Sequence, residues 1–362
     1  MLLLISIDIV VPTARSVSSL SSLVNMPVPE GMTVSYYIVT DGPPDAIQVS
    51  DHSNIRVVGN HNPGAHSARN AGLEAGSGDY ILFIDDDVFP EPDLLQSYKE
   101  AIQTHPDSIG FVGVVNFPGA ENAFEKGVVA SYILTFFGIA RTQEEVTWGV
   151  TANLMVKREA VGSIRFSKAF PKHGGGEDID FCLRIDQKAG KEFVTVPNAA
   201  VNHPWWGGGT RQYRRFARWA YGDSRLPGLF PEFKYRNFPN MIEATALGVC
   251  VLLIIGVLNP KFVLGVGWVI ALGFLAEFGF ETWSVARRGI GSFRTGVESS
   301  LVRLSNEVGR VIGNLQRGHV GGFCERFDYF TTGKSIPYER KAARTKFGVF
   351  VLGFLAFLIL LR

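Results

Sequence analysis

Short apolar runs alternate with helix-like segments along the N-terminal part of the chain. Seven runs have the length of a strand, at residues 5–11, 34–40, 55–58, 80–84, 109–115, 154–157 and 192–197. Several are continuously apolar, which is typical of parallel strands covered on both faces. The pattern predicts an α/β sandwich. Because residues 1–11 lack a basic leader and include Asp8, we expect a buried first strand rather than a cleaved signal peptide.

The apolar pattern changes near residue 238, because residues 244–258, 262–276 and 347–361 contain no charged side chain. Fifteen helical residues cover only about 22 Å at ~1.5 Å each, less than the roughly 30 Å of a bilayer core. A spanning helix must therefore include flanking residues such as Glu243 or Glu277. We expect at least two of the three runs to be true spans; the alternative is a re-entrant or interfacial hairpin that turns at residues 259–261.

Residues 284–317 carry six arginines and two glutamates. Apolar residues recur there at three- and four-residue spacings, namely Val297, Leu301, Leu304, Val308, Val311 and Leu315. The spacing predicts an amphipathic helix at about 293–317 on an anionic membrane face, with a solvated helix as the alternative. We divide the chain into an α/β domain, residues 1–228, and a membrane-associated helical region, residues 229–362. Its hydrophobic segments are at about 242–258, 262–280 and 347–361.

Charge and cysteine content narrow the class of protein. The 35 Lys and Arg residues against 34 Asp and Glu give a net charge of +1, so we expect no broad basic face and no nucleic-acid partner. Cys182, Cys250 and Cys324 match no metal or disulfide spacing, which predicts reduced thiols.

Three consecutive carboxylates, Asp85 to Asp87, follow the apolar run at 80–84. Ligands of α/β sheets lie at the carboxyl ends of strands, where Thr13 and Asp41 are also expected. Three like charges side by side are unfavourable unless a cation joins them, and hard oxygen ligands suit Mg²⁺ or Mn²⁺. The alternative is a polar turn before a helix that begins near Pro92, for which one aspartate would suffice.

A second acidic site follows three glycines, at Glu177 and Asp178. Here a loop runs into a predicted helix, and a carboxylate could accept the proton of an attacking hydroxyl. The alternative is an interaction with the helix dipole, and both can hold at once. Upstream, Arg69 and Asn70 lie on a helix predicted to end in a Gly-rich turn before the strand at 80–84.

The order of these features is an Ala-Arg-Asn-Ala-Gly helix, a Gly-Asp turn, an apolar strand and an acidic cluster. It resembles the family 2 inverting glycosyltransferases of the GT-A fold over about residues 5–225. The resemblance implies a GT-A-like nucleotide-sugar-binding α/β sandwich with a C-terminal helical membrane module.

The resemblance also implies roles for individual residues. Asp41 would read the donor base, with Arg69 on the same side, and Asp85 would lie near the ribose. Thr13 and Asp86 complete the expected donor site. The role of Asp86 within it is open. Asp87 would be the direct metal ligand, and the expected metal set is Asp87, Asp85 and His203. A structural role is the alternative for His203. Asp178 is the expected catalytic base and Glu177 its orienting partner.

Aromatic and basic residues suggest the acceptor side. Three tryptophans could stack on a sugar or acceptor face, namely Trp148, Trp205 and Trp206. Because aromatic residues in a core are commoner, we expect that role for only one of them. The candidates are Trp148 and Trp205. Arg211, Arg214, Arg215 and Arg218 share one side of a predicted helix and are expected to contact phosphate or, alternatively, lipid headgroups.

The basic segment resembles the Gln-x-x-Arg-Trp signature of processive polysaccharide synthases at Gln212 and Arg215. It departs from that signature because Phe216 follows Arg215, whereas Trp219 follows Arg218. That mismatch, and the lack of membrane helices before the catalytic region, argue against processive synthesis. The predicted acceptor or phosphate contacts are Trp148, Trp205, Gln212, Arg215, Arg218 and Trp219.

These features predict a non-processive, metal-dependent inverting glycosyltransferase with Mn²⁺ or Mg²⁺ as cofactor. It would take a nucleotide-diphosphate sugar as donor and a lipid-linked or glycan acceptor at the membrane, with a cytosolic catalytic domain. The alternatives are a processive synthase and a catalytically inactive membrane scaffold. A nucleotidyltransferase is disfavoured because residues 12–16 contain no glycine, and a dinucleotide oxidoreductase because no Gly-x-Gly-x-x-Gly follows a strand.

Overall fold

The computed structural model describes residues 4–13, 19–41 and 53–360. The strands are β1 Ile5–Thr13, β2 Met32–Thr40, β3 Ile55–Gly59, β4 Tyr80–Ile84, β5 Phe89–Pro90, β6 Gly110–Asn116, β7 Glu145–Val146, β8 Asn153–Lys157, β9 Phe193–Asn202, β10 Lys234–Arg236 and β11 Glu325–Phe327. The helices are α1 Ser19–Val24, α2 Ala65–Ala75, α3 Leu94–Thr104, α4 Ala123–Ala130, α5 Arg158–Val161, α6 Glu177–Ala189, α7 Tyr213–Asp223, α8 Leu226–Leu229, α9 Met241–Leu258, α10 Val266–Arg288, α11 Phe293–Gln316 and α12 Ile336–Leu360. All seven predicted strands are present, as β1, β2, β3, β4, β6, β8 and β9.

Packing divides the chain into two compact units. Unit 1 comprises Met1–Gly119 and Thr135–Gly208, and unit 2 comprises Ala120–Leu134 and Gly209–Arg362. The division of the chain at residue 228 was made from the sequence pattern. The two packing units do not test it, so it stays a prediction.

The sheet of unit 1 is mixed rather than wholly parallel. In the described residues its strand order is β3-β2-β1-β4-β8-β6-β9-β5, and β7 pairs with β9. Strands β1 to β4 are mutually parallel where they pair, but β8 is antiparallel to both of its neighbours, β4 and β6. Burial on both faces gives a continuous apolar run in either direction, so the sequence pattern could not reveal the reversal.

Close packing fixes the helices that carry the predicted site. A Cβ added to Gly72 of α2 would lie 2.4 Å from Cγ1 of Val10, so α2 lies directly on β1. On α6, the Phe181 ring stacks on Phe166 at 3.9 Å between centroids and meets Phe83 of β4 edge-on at 5.9 Å. Both helices are thereby held against the strands that end at the acidic cluster.

In unit 2, α11 packs against α4, α7 and α10. A Cβ on Gly309 would lie 1.9 Å from the carbonyl oxygen of Ala217 on α7, so the two backbones touch there. Leu304 and Val311, which were expected on a membrane-facing stripe, are buried, and Leu315 is exposed. The helix predicted at 293–317 is present, but these two apolar residues face protein.

Three described helices are long and apolar enough to cross a membrane, at Met241–Leu258, Pro260–Arg288 and Ile336–Leu360. The short helical segments Ala123–Ala130 and Thr135–Arg141 would add a fourth if they formed one span. The helices do include the flanking charges, since Glu243 lies in the first turn of α9 and Glu277 lies within α10. The three cysteines are free thiols, as predicted.

Candidate active site

The predicted donor residues lie where β1, β2 and β4 end. Thr13 is the last residue of β1, and its hydroxyl donates to Asp86 Oδ2 at 2.6 Å. Because β1 and β4 are adjacent and parallel, their carboxyl ends meet at one edge of the sheet. This contact gives Asp86, whose role the sequence left open, a structural partner. Residues 14–16, used above to weigh a nucleotidyltransferase, lie outside the described residues.

Asp41 follows β2 and is held by the loop that leads into α2. Its Oδ1 accepts a hydrogen bond from the Asn60 side chain at 2.7 Å, and its Oδ2 accepts from the Gly64 backbone N–H at 3.1 Å. Asn60 itself is buried. The carboxylate predicted to read the donor base is thereby fixed in position.

Arg69 joins two carboxylates that are far apart in sequence. Its guanidinium is buried and donates to Glu177 Oε1 at 3.0 Å and to Asp85 Oδ1 at 3.3 Å. Burial alone lowers the pKa of Arg69, but the carboxylates of Asp85, Glu177 and Asp178 outweigh it, so the net shift is upward. The acidic cluster after β4 and the start of α6 therefore share one permanent cation.

The loop before α6 can be built only from residues that tolerate left-handed backbone. Gly174, Gly175 and Gly176 have φ of 89°, 134° and 83°, a region that side chains disfavour. This conformation turns the Gly175 N–H onto Glu177 Oε2 at 2.6 Å. Glu177 is buried with both oxygens engaged, whereas Asp178 beside it is partly exposed. Of the two, Asp178 is the carboxylate with more of its surface exposed.

His203 and Asp87 form a pair suited to a cation. His203 Nδ1 lies 2.5 Å from the Pro204 carbonyl oxygen, which can only accept, so Nδ1 carries the hydrogen. Its Nε2 lies 3.3 Å from Asp87 Oδ1, and two acceptors at that distance need a proton or a metal ion in common. Histidines that bind metals commonly donate their other N–H to a carbonyl, and neighbouring ligands about 2.1 Å from an octahedral ion are about 3 Å apart. The pair fits a divalent cation.

The full predicted metal set is not assembled. Among the described residues, no three His, Cys, Asp or Glu side chains are grouped so as to hold a metal ion. Asp85 is engaged with Arg69 instead. The pair that remains from the predicted set is Asp87 with His203.

The aromatic residues predicted on the acceptor side lie in a buried cluster. Phe117 packs against His203, Trp205 and Trp206 with centroid distances of 5.1, 5.3 and 5.0 Å. Trp148 is also buried and contacts Phe136 at 5.5 Å. Most of each ring face is therefore covered by protein. Trp205 Nε1 is buried without a hydrogen-bond acceptor among the described residues.

Residues 13–165 match the model of the family described as Glycosyl transferase family 2. The chain carries a family 2 glycosyltransferase domain. Its mixed sheet is GT-A-like, as the resemblance implied. The matched segment contains Thr13, Asp41, Arg69 and the cluster Asp85 to Asp87, whereas Glu177, Asp178 and His203 lie beyond its end.

Several characterised proteins are similar to this chain. It is 27% identical over 150 residues to the glucosyl-dolichyl phosphate glucuronosyltransferase of Haloferax volcanii, covering 39% of this chain and 48% of that protein. It is 26% identical over 149 residues to the amylovoran biosynthesis glycosyltransferase AmsB of Erwinia amylovora, covering 38% and 45%. It is 27% identical over 265 residues to the pre-mycofactocin glycosyltransferase of Mycobacterium tuberculosis, covering 69% and 53%. The chain thus spans about half the length of these relatives.

The solved structure of S. aureus TarS aligns with a TM-score of 0.39 at 15% identity, over 60% of this chain and 39% of that one.

Four further predicted residues belong to unit 2, outside the matched glycosyltransferase segment. Gln212 directly precedes α7, and Arg215, Arg218 and Trp219 lie on it. The Arg215 guanidinium lies 6.0 Å from the Trp219 ring centroid. Their role toward an acceptor stays a prediction.

Arg211 differs from the sequence-based expectation. It precedes α7, which begins at Tyr213, so it does not share a helical face with the other three arginines. Its guanidinium instead donates to Glu298 Oε1, at 2.9 Å from Nε, and Tyr213 donates to the other oxygen of Glu298. Arg211 is thereby paired with a buried carboxylate while its own side chain stays exposed, and its contact with phosphate stays a prediction.

Sequence reasoning missed three residues of the glycosyltransferase domain. Asn60 holds Asp41, Phe117 stacks on His203, and His66 is buried in the first turn of α2. Asn60 and Phe117 each directly follow a strand, β3 and β6, so the rule that ligands gather at strand ends could have found them. His66 carries no such signal.

Proposed function

We propose that this chain is a metal-dependent inverting glycosyltransferase that moves a sugar from a nucleotide-diphosphate sugar to a lipid-linked or glycan acceptor at a membrane. The observation that carries the proposal is the Arg69 bridge. One buried guanidinium joins the acidic cluster after β4 to the glycine loop before α6. A donor-side carboxylate and the segment that bears the base are thus held in one rigid arrangement.

The donor is assigned to the edge formed by β1, β2 and β4. Asp41, fixed by Asn60 and Gly64, reads the base, and Asp85 lies toward the ribose. Thr13 and Asp86 brace each other beside the diphosphate. Arg69 keeps Asp85 in place.

Asp87 and His203 would hold the Mn²⁺ or Mg²⁺ ion, which when bound would neutralise charge on the departing diphosphate. The Pro204 carbonyl fixes the tautomer of His203, so that Nε2 presents its lone pair toward Asp87. Asp85 contributes through Arg69 rather than as a ligand.

Asp178 is the base of the reaction. It lies in the first turn of α6, where the helix dipole favours its ionised form. Asp178 accepts the proton of the acceptor hydroxyl as that oxygen bonds to the anomeric carbon, while the bond from this carbon to the diphosphate breaks on the opposite face. A single displacement of this kind inverts the anomeric configuration. Glu177 positions the loop and does not take the proton.

The acceptor class follows from the relatives and from the apolar helices. One relative is named for a dolichyl phosphate substrate and another for a polysaccharide pathway. We assign phosphate or acceptor contacts to Gln212, Arg215, Arg218 and Trp219. Transfer is non-processive, and the catalytic domain faces the cytosol, where nucleotide sugars are made.

The test uses two variants and one control. Asp87→Ala should abolish Mn²⁺-dependent binding of nucleoside diphosphates in calorimetry. Asp178→Asn should bind them normally but lose transfer by roughly 10²–10⁴-fold, the usual contribution of a positioned base. Asp93→Asn, an exposed carboxylate just before α3, should change neither.

Unchanged diphosphate affinity in Asp87→Ala would remove the metal assignment. Near-normal turnover in Asp178→Asn would transfer the role of base to another carboxylate. Product stereochemistry, read by NMR of the anomeric proton, checks the displacement independently, because retention contradicts it. Donor binding without any turnover in the unaltered chain would favour the inactive-scaffold alternative.

A further inference from the structure

Large apolar side chains are exposed where α10 ends and α11 begins. Trp283, Ile290 and Phe293 expose 53%, 41% and 70% of their surface. The Arg287 guanidinium lies over the Trp283 ring, 5.3 Å from its centroid. Aromatic rings beside arginines are typical of the level at which a membrane helix meets the headgroups.

A second group of exposed rings lies beside α4. Tyr132 exposes 51% of its surface, and its backbone has φ 63°, which is uncommon for a bulky residue and is strained. The Arg288 guanidinium lies 4.8 Å from the centre of the Tyr132 ring and donates to the Ala130 carbonyl at 3.1 Å. Tyr338, 57% exposed, meets Tyr132 edge-on at 6.4 Å. The tyrosine is held outward rather than folded into a core.

These groups share a position relative to the candidate spans. Trp283 and Arg287 lie near the end of α10, and Tyr338 lies in the first turn of α12. The two helix ends are neighbours, because Lys346 of α12 donates to Glu281 of α10 at 2.8 Å. The exposed rings thus gather at one end of two membrane-length helices.

The α4 helix is fixed to this end of the unit. A Cβ on Gly127 would lie 2.5 Å from Cβ of Glu298, so α4 and α11 are in backbone contact. A surface that binds Tyr132 would therefore also fix the position of residues 120–134. In the sequence these residues begin three positions after Phe117, the ring that stacks on His203.

We propose that Tyr132, Trp283, Ile290, Phe293 and Tyr338, here called the boundary patch, dock into the headgroup layer of the membrane that holds α10 and α12. The patch brings residues 120–134 to the lipid surface without crossing it. This inference rests on the membrane attachment in the proposed function. It does not depend on the identity of the donor or acceptor.

The experiment measures the depth of single fluorescent probes in the full chain, reconstituted in vesicles of phosphatidylcholine and phosphatidylglycerol. Cys182, Cys250 and Cys324 are first replaced by alanine. An environment-sensitive probe is then attached to Tyr132→Cys or Phe293→Cys. Reference probes at Ile254→Cys, 70% exposed on α9, and at Val28→Cys, exposed in unit 1, report deep and aqueous positions. Quenchers are a headgroup nitroxide lipid, a mid-chain nitroxide lipid and aqueous iodide.

The patch probes should lose more emission to the headgroup nitroxide than to the mid-chain nitroxide, and the Ile254 probe should show the reverse order. Adding Phe293→Ser to the Tyr132 probe chain should reduce its headgroup quenching, whereas Val320→Ser, another exposed apolar site, should leave it unchanged. If the Tyr132 replacement unfolds the chain, Tyr338→Cys takes its place.

Patch probes that respond only to iodide, while Ile254 is quenched from the bilayer, would overturn the patch and leave membrane attachment standing. Patch probes quenched as deeply as Ile254 would also overturn it, by assigning residues 123–141 to a fourth span. An Ile254 probe that responds only to iodide would remove the membrane attachment itself, and the patch with it.

Discussion

At the scale of single residues, the Arg69 guanidinium joins the two acidic segments of the candidate site. Its place on a helix before the acidic strand follows from local pattern, and α2 is present as expected. Its partners do not, because Asp85 and Glu177 lie 16 and 108 positions away and meet it only through the sheet. The sequence pattern thus predicted the helix that carries Arg69, while the pairing of Arg69 with these two carboxylates came from long-range packing.

His66 provides a prediction on pH dependence. It is buried beside Glu177, and its Nδ1 has no hydrogen-bond partner among the described residues. Burial lowers the pKa of His66 below 6.5, and the opposing effect of Glu177 is smaller. As the pH falls, His66 therefore binds a proton near pH 6.5 in the unfolded chain but only at a lower pH in the folded chain. The stability from neutral His66 is complete above about pH 6.5 and is lost as the pH falls below it.

His66→Gln should therefore flatten the fall in melting temperature between about pH 8 and about pH 5.5. His173→Gln, at an exposed histidine of the same unit, is the matched control and should keep the slope of the unaltered chain. Differential scanning calorimetry at several pH values provides the measurement. An unchanged slope in His66→Gln would mean that other groups govern the acid side.

At the scale of elements, the strands were predictable from the sequence, whereas the surface that the apolar stripe of α11 packs against was not. Strand runs have a characteristic length and composition, so the seven predicted strands, β8 among them, were found even though β8 reverses direction. An apolar stripe on a helix looks the same whether it faces lipid or another helix. The signal that decides for α11 is small residues: Gly309 and Gly313 are four positions apart and allow α7 to approach.

Gly309→Ala tests this crossing. The added Cβ would lie 1.9 Å from the Ala217 carbonyl oxygen, a backbone atom, so one of the helices must move. Overpacking of this kind costs about 1–3 kcal/mol and should lower the melting temperature in detergent. Gly279→Ala on α10, whose Cβ would meet nothing within 4 Å, is the control. It should be neutral or slightly stabilising, because alanine is favoured over glycine in helices by about 1 kcal/mol. Equal melting temperatures would remove the close crossing.

At the scale of the whole molecule, helix length bears on the choice between a hairpin and true spans. The 23 residues of α10 extend about 34 Å at ~1.5 Å per residue, more than the roughly 30 Å of a bilayer core. The 18 residues of α9 extend about 27 Å. Both helices are longer than the uncharged runs of 15 residues, because charged residues are accommodated within them. Glu243 forms a capping box with Asn240, and Glu277 pairs with Lys346.

Lys346 lies just before the last apolar run, where a basic residue would bear on the direction in which the helices cross the membrane. It is buried between Glu277 and Glu281, so it is neutralised and cannot act as a flanking cation. Lys341 and Arg344 remain exposed before the last apolar run, and the end of α10 carries Arg287 and Arg288. Positive charge still gathers at that end of both helices, which the positive-inside rule assigns to the cytosol.

With three spans, α9 leaves the cytosol, α10 returns to it and α12 leaves it again, so Lys261 lies on the side of the membrane opposite the cytosol. Arg362, which is expected to follow α12 to that side, lies outside the described residues. Lys261 and Lys334 are both exposed and suit single cysteines in a cysteine-free chain. A membrane-impermeant thiol reagent on intact cells should label Lys261→Cys but not Lys334→Cys, which should react only after permeabilisation. A hairpin predicts that neither reacts before permeabilisation, because α9 and α10 would both return to the cytosolic face. Labelling of Lys334→Cys on intact cells contradicts both arrangements, since it would place the arginine-rich ends of α10 and α12 outside.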